Sequence, residues 1–199
     1  MVDTERDALK YHQNGELYFE TTDFNKAKQK YIRYFKLSSG DETGSANTYE
    51  HYATCLASQF RFAEAIIKYR KALQFEPRFT RAIAGWGLCL LKMGKYDDAI
   101  QKFNKAIEIV HKHPFAIISI ILCLFLKKED EKALQLLKIA KAESIEQVFI
   151  SAIRSYRREA FNLGKRLSQA TSQDEISLIQ EQKQGIKRLL NLLEGKQDA

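Results

Sequence analysis

The sequence predicts an all-α fold: about four helix-turn-helix repeats in series, closed by two C-terminal helices. Three observations carry this. Apolar residues recur at steps of three and four along much of the chain, the spacing that gathers them on one face of a helix. With 2 prolines and 9 glycines in 199 residues, 45% hydrophobic and 29% charged, the composition suits ordered helices better than a disordered chain. Cys55, Cys89 and Cys123 lie 34 residues apart, as do Ala65, Ala99 and Ala133. A fixed period of that length marks an architecture in which each unit stacks on the next.

The best-formed unit is Arg81 to Ile109, RAIAGWGLCLLKMGKYDDAIQKFNKAIEI. It reads as two amphipathic helices joined by a turn at Met93-Gly94-Lys95. Gly87 lies midway along the first helix, and Ala99, Phe103 and Ala106 share one face of the second, which Tyr96 opens. Small side chains at Gly87, Ala99 and Ala106 let two backbones approach, while Phe103 and Ile107 fill the remaining space. This stretch resembles a tetratricopeptide repeat, whose pattern is L-G-x2-Y, then A-x3-F and a terminal Pro. The resemblance implies a right-handed α-solenoid whose first helices line a concave groove that holds partners.

Laid along the chain, the pattern places repeats at about 8–38, 46–79, 80–113 and 114–142, within a repeat region spanning 1–143. The first carries Gly15, Tyr18, Phe24, Ala27 and Tyr31, and a Gly/Ser/Asp-rich surface turn over 39–45 accounts for its longer spacing. The second carries Ala53, Phe62, Ala65, Tyr69, Ala72 and Pro77; the proline cannot continue a helix and marks the next turn. In the third the terminal proline is absent, and Pro114 instead opens the fourth repeat, at a position helices tolerate. The fourth departs furthest from the pattern: Ile121 replaces the first-helix glycine, and 127–130 form the turn.

Beyond the repeats, a long capping helix is predicted over 144–169, with Ile145, Val148, Phe149, Ala152, Ile153, Tyr156, Ala160, Leu163 and Leu167 on one stripe. A second amphipathic helix is predicted over 173–195. Asp174 and Glu175 suit its start, and Ile176, Ile179, Ile186, Leu190 and Leu193 form its apolar face, interrupted by Lys183. That face suits either a cap on the repeats or a homodimer seam through 174–193.

The start, MVDTERDALK, has no apolar stretch of the kind a secretory leader needs, and the longest apolar run, Pro114 to Leu126, is too short to cross a membrane. A cytoplasmic protein is the expectation. Net charge is +7, but the charges are mixed along the helices, so a solvated surface is favoured over a nucleic-acid footprint, and nucleic acid is not an expected partner. The basic residues Arg154, Arg157, Arg158, Lys165 and Arg166 on the long helix lack the exposed aromatics an RNA reader adds. The cysteines read as buried, reduced packing residues, too far apart to bridge.

No Gly-rich phosphate loop, GxSxG or HExxH occurs, so no catalytic residue and no cofactor are assigned. His111-Lys112-His113 has no neighbouring cysteine or carboxylate cluster and reads as a helix cap rather than a metal site.

Through the resemblance, the groove face falls on His51, Thr54, Arg81, Leu88, Leu91, Lys92, Phe115, Ile118, Leu122 and Phe125, with His12, Glu16, Phe19 and Glu20 at its start. It is polar at one end and apolar at the other. The helix from Pro114 to Leu126 is apolar all round, so something must cover it: the chain's own last helices, a second copy or a partner. The expected function is a non-catalytic adaptor that binds a partner segment in the groove. The alternatives are a small secretion-type chaperone holding an apolar client and a homo-oligomeric subunit. Family members that clamp acidic chaperone tails use Lys, Asn and Arg where this chain has His12, Glu16, His51, Arg81 and Gly85; Glu16 would repel a carboxylate, and that activity is not expected.

Overall fold

A computed structural model describes residues 2–37, 45–111, 113–142, 154, 156–157, 160–161, 163–164 and 166–194. Within them the fold is all-helical, of the helical-solenoid class. The helices are α1 (Val2–Glu20), α2 (Phe24–Leu37), α3 (Ala46–Ser58), α4 (Phe62–Phe75), α5 (Thr80–Lys92), α6 (Tyr96–Ile109), α7 (Pro114–Leu126), α8 (Asp130–Ala142) and α9 (Gln173–Leu193). The described residues between 154 and 167 are helical too. Residues 39–44 of the surface turn predicted over 39–45, Lys112, and the stripe members Ile145, Val148, Phe149, Ala152 and Ile153, with Arg158 and Lys165, lie outside the described residues.

Local chemistry sets the helix ends. Ser45 Oγ accepts from the Thr48 N–H at 3.2 Å to start α3, and Ser172 Oγ does the same for Glu175 at the start of α9. His113 caps α7: its Nδ1 accepts from the Ala116 N–H at 3.2 Å, and Pro114 follows where no intrahelical donor is lost. Acidic pairs Asp97/Asp98 and Asp130/Glu131 face the positive ends of α6 and α8.

Four turns share one hydrogen-bonding scheme. Thr22, Phe60, Gly94 and Lys128 each adopt a left-handed φ, of 61°, 64°, 76° and 62°. In each, the N–H of that residue bonds the carbonyl three back, and the next N–H bonds the carbonyl five before it. For α1 these are Thr22 to Phe19 at 3.0 Å and Asp23 to Tyr18 at 2.9 Å; for α5 they are Gly94 to Leu91 at 3.0 Å and Lys95 to Leu90 at 2.9 Å. This is the Schellman stop, which satisfies the last carbonyls of a helix and reverses the chain into the next one. Its left-handed position recurs 34 residues apart from Phe60 to Gly94 to Lys128, so the helical hairpin itself repeats.

The chain divides into two compact units, Met1–Cys89 and Leu90–Ala199. In the first, α1 packs on α2, α2 and α1 on α3, and α3 on α4. Ala27, Ala65 and Ala53 are buried, and around them lie Tyr31, Phe35, Tyr49 and Tyr69. Phe35 stacks on Tyr49 at 4.9 Å between ring centres, and Tyr49 stacks on Phe75 at 5.5 Å. Close approach is enforced by missing side chains: a Cβ on Gly15 would meet the Tyr31 ring at 2.9 Å, and one on Gly85 would meet the Tyr69 ring at 2.5 Å.

In the second unit, α7 is the centre. Nine of its residues are buried, including Ile118, Ile121 and Leu122, and α6, α8 and α9 all pack against it. Ala99, Phe103 and Ala106 of α6, and Ala133, Leu137 and Ala140 of α8, supply the facing sides. Cys55, Cys89 and Cys123 are all buried, in keeping with their shared place in the repeat. No helix among the described residues is long and apolar enough to cross a membrane.

Candidate partner-binding surfaces

In the first unit, the expected groove residues from α1, α3 and α5 converge on a polar cluster. Glu16 and His12 lie one helical turn apart on α1, and α3 brings His51 and Glu50 to them. His51 Nδ1 donates to Glu16 Oε2 at 2.7 Å, and its Nε2 lies 3.5 Å from Glu50 Oε2. The Tyr31 hydroxyl donates to Glu16 Oε1 at 2.8 Å. His12 Nε2 is 2.8 Å from the Thr48 hydroxyl and 3.7 Å from Glu16. Phe19 stacks on the His51 ring, 4.1 Å between centres, and so sets its plane. The Thr54 hydroxyl donates to Glu50 Oε1 at 3.1 Å and meets the Tyr69 hydroxyl at 3.1 Å.

The electrostatics follow from these contacts. Burial alone would raise the Glu16 pKa, but hydrogen bonds from His51 and Tyr31 and the charges of His51 and His12 outweigh it and hold the carboxyl below its ordinary value. Burial first, then the Glu16 carboxylate, push the Tyr31 hydroxyl far up, so it stays a donor. Burial likewise raises Tyr69. Arg81, on the outer edge, donates to Asn47 Oδ1 at 2.6 Å, lies 3.9 Å from Glu50 and sits over the Phe79 ring. It is exposed, His51 and Thr54 are partly exposed, and Leu88 is half-buried. The two carboxylates of this cluster are therefore met by groups of the chain itself. Sequence alone showed the His12–Glu16 step along α1, but not that α3 would place His51 and Glu50 beside it.

In the second unit, the apolar residues of the expected groove are covered by the chain's own C-terminal part. Leu91, Ile118, Leu122 and Phe125 are buried. On α9, Ile179, Ile186 and Leu189 are buried, and so is Gln182, whose Nε2 donates to the Leu91 carbonyl at 2.9 Å. Gly185 faces Leu126 and Leu122 so closely that a Cβ would lie 2.7 Å from Leu126. Arg188 donates to Asp130 at 2.9 Å and covers the Phe125 ring at 4.8 Å.

The preceding helical residues complete the cover. The buried Tyr156 shares a 2.8 Å hydroxyl contact with Ser119 and stacks on Phe115. Arg166 reaches the Lys92 carbonyl at 3.4 Å. Of the three covers α7 could have taken, the chain's own last helices are in place, and the apolar face of α9 lies against α7.

Of the remaining candidate groups, Cys55 and Cys123 are buried thiols. Burial pushes the Cys55 and Cys123 thiols up to about 12, so they stay protonated. Among the described residues no group of three His, Cys, Asp or Glu side chains is placed to hold a metal ion.

Helical hairpins repeated in series define a helical-repeat scaffold. Its fold is similar to that of tetratricopeptide-repeat structures. The tetratricopeptide-repeat family model matches residues 81–113, the third hairpin. The crystal structure of MamA is similar over 70% of this chain and 80% of that one, at 22% identity and a TM-score of 0.63. That of YrrB, described as a TPR protein with an unusual peptide-binding site, is similar over 67% and 66%, at 22% identity and 0.60. A MamA mutant is similar over 96% of this chain and 94% of that one, at 14% identity and 0.61. Identities this low establish a shared fold. Comparison with curated proteins returned no match. The chain thus matches the tetratricopeptide repeat at its third hairpin and shares the fold of these structures.

Proposed function

We propose that the protein is a non-catalytic adaptor that holds a polar segment of a partner protein against the first helices of its repeats, with His51, Thr54 and Arg81 at the contact. The observation that supports this is the difference between the two units. In the first, donors and acceptors from α1, α3 and α5 gather on one face and stay partly open to solvent. In the second, the corresponding residues Leu91, Ile118, Leu122 and Phe125 are occupied by α9 and the residues before it. Leu88, Lys92 and Phe115 would then border the contact. The fold is one that YrrB uses around a peptide-binding site, and a scaffold with no assigned catalytic group is suited to the same kind of task. On this reading the protein acts in the cytoplasm. A chaperone for apolar segments would need α7 uncovered, which gives that alternative less support.

Site-specific photo-crosslinking tests the proposal. A benzoylphenylalanine in place of Thr54 should capture a partner protein in extracts of the native host, while the same group at the exposed Ile67 of α4 should not. Arg81→Glu should then weaken binding of that partner about tenfold, the scale of a well-placed charge-assisted contact. Equal crosslinking at both positions, or full binding by a folded Arg81→Glu variant, would refute it.

A further inference from the structure

The C-terminal helices carry a second surface of their own. Between α9 and the helical residues before it runs an open groove of about 750 Å³, and beside the amides of Gln180, Gln184 and Asn191 its lining brings aliphatic and cationic side chains together. Ala160, Leu167 and Leu190 give it an aliphatic floor, while Lys183, Lys187 and Arg157 bring cationic groups to it. Lys183 and Lys187 are exposed and one helical turn apart, so both ammonium groups face the same space. Neither has a carboxylate partner among the described residues. Arg157 is anchored at one end of the groove by Glu194, at 2.6 Å.

Lys183 matters because it interrupts the apolar repeat of α9. The helix buries Ile179, Gln182, Ile186 and Leu189 on its α7 side. Lys183, Lys187 and Leu190 line the groove instead. A solvated helix face needs no aliphatic side chains beside its lysines; here the cations border a recess that Ala160, Leu167 and Leu190 also line.

We infer that this groove docks a short protein segment in which two or more carboxylates flank a single apolar side chain. The carboxylates would meet Lys183 and Lys187, and the apolar side chain would lie on Leu167 and Leu190. A nucleic-acid strand fits less well, because none of the lining residues is aromatic and there is no platform on which a base could stack. The inference is independent of the contact at His51, Thr54 and Arg81, which belongs to the other unit.

The test uses the full chain and a fluorescein-labelled peptide of repeated Glu-Leu-Glu-Glu, followed by anisotropy at low and moderate salt. Three comparison probes are a polyglutamate peptide, the same peptide with Gln for Glu, and an oligothymidylate. Expected are saturable binding of the first peptide that weakens with salt, a loss of about tenfold or more in Lys183→Glu/Lys187→Glu, and no loss in Arg70→Glu, an exposed residue of α4. A Leu190→Asn variant should weaken the acidic leucine peptide and leave polyglutamate unchanged. Circular dichroism and thermal melting confirm that each variant is folded; if Leu190→Asn is not, Leu167→Asn takes its place. Absence of binding at low salt would overturn the inference. So would binding unaffected by the double lysine reversal, equal binding of polyglutamate, or tighter binding of the oligothymidylate.

Discussion

Replacing Thr22 with glycine should make this protein more stable. Thr22 sits at a left-handed φ of 61°, a conformation that costs an L-residue about 1–2 kcal/mol, and more for a β-branched one. Its side chain is exposed and makes no hydrogen bond among the described residues, whereas the neighbouring Thr21 hydroxyl bonds the Leu17 and Tyr18 carbonyls. The two turn hydrogen bonds, from the N–H groups of Thr22 and Asp23, are made by the backbone and survive the change. Against the relief stands the greater freedom of glycine in the unfolded chain, about 0.5–1 kcal/mol. The balance is a gain of about 0.5–1 kcal/mol. Urea denaturation followed by circular dichroism reads this as a higher midpoint at unchanged slope. The converse change sharpens the test. Gly94→Ala puts a Cβ into the equivalent turn at φ 76°, and 3.2 Å from Leu178, and should cost about 1–2 kcal/mol. A Thr22→Gly protein no more stable than the parent, together with a harmless Gly94→Ala, would refute the equivalence of the turns.

Gly85→Ala gains helix propensity but drives a methyl into the buried Tyr69 ring, so it should destabilise by about 1–3 kcal/mol in the same denaturation assay. The buried thiols of Cys55 and Cys123, raised to about 12, should resist alkylation at pH 8 in the native protein and react at once in denaturant, as a mass-spectrometric count shows. Burial lowers the His113 pKa from its ordinary 6.5, against a smaller opposing effect of its backbone hydrogen bond, and its Nδ1 must be unprotonated to cap α7. A depressed folded-state value means the unfolded chain takes the proton first, so this stability is complete above about pH 6.5 and is lost as pH falls below it. Melting between pH 7.5 and 5.5 should show a drop that a His113→Asn variant, with a cap that does not titrate, largely lacks.

The periodic part of the fold could be read from residues whose chemistry is tied to the packing. Ala65, Ala99 and Ala133 are spaced by the repeat because each occupies the same tight crossing, and all three are buried. The cysteines follow the same logic. The left-handed conformation in the turns could be read only at Gly94, since Thr22, Phe60 and Lys128 adopt it without being glycine; there the hairpin overrides the residue's own preference. The surplus apolar surface of α7 showed that a cover was needed but not its source. Neither Gln182 nor Gly185 signals in sequence that it faces Leu91 or Leu126. The polar cluster was half visible: the turn-spaced pair on α1 belongs to one helix, whereas the approach of His51 and Glu50 depends on how α3 packs on α1.

The bond from Gln182 to the Leu91 carbonyl joins residues 91 positions apart in a fold whose repeats are adjacent hairpins. A solenoid of this kind gains its contacts locally, and each hairpin can form as soon as it is made. The α7 helix cannot finish that way. Its outer face stays wet until residues 173–193 have been synthesised and folded back, so of all the repeats it is exposed longest. Loss of the last helix, by truncation or proteolysis, would leave the first unit intact and turn the second into an adhesive surface.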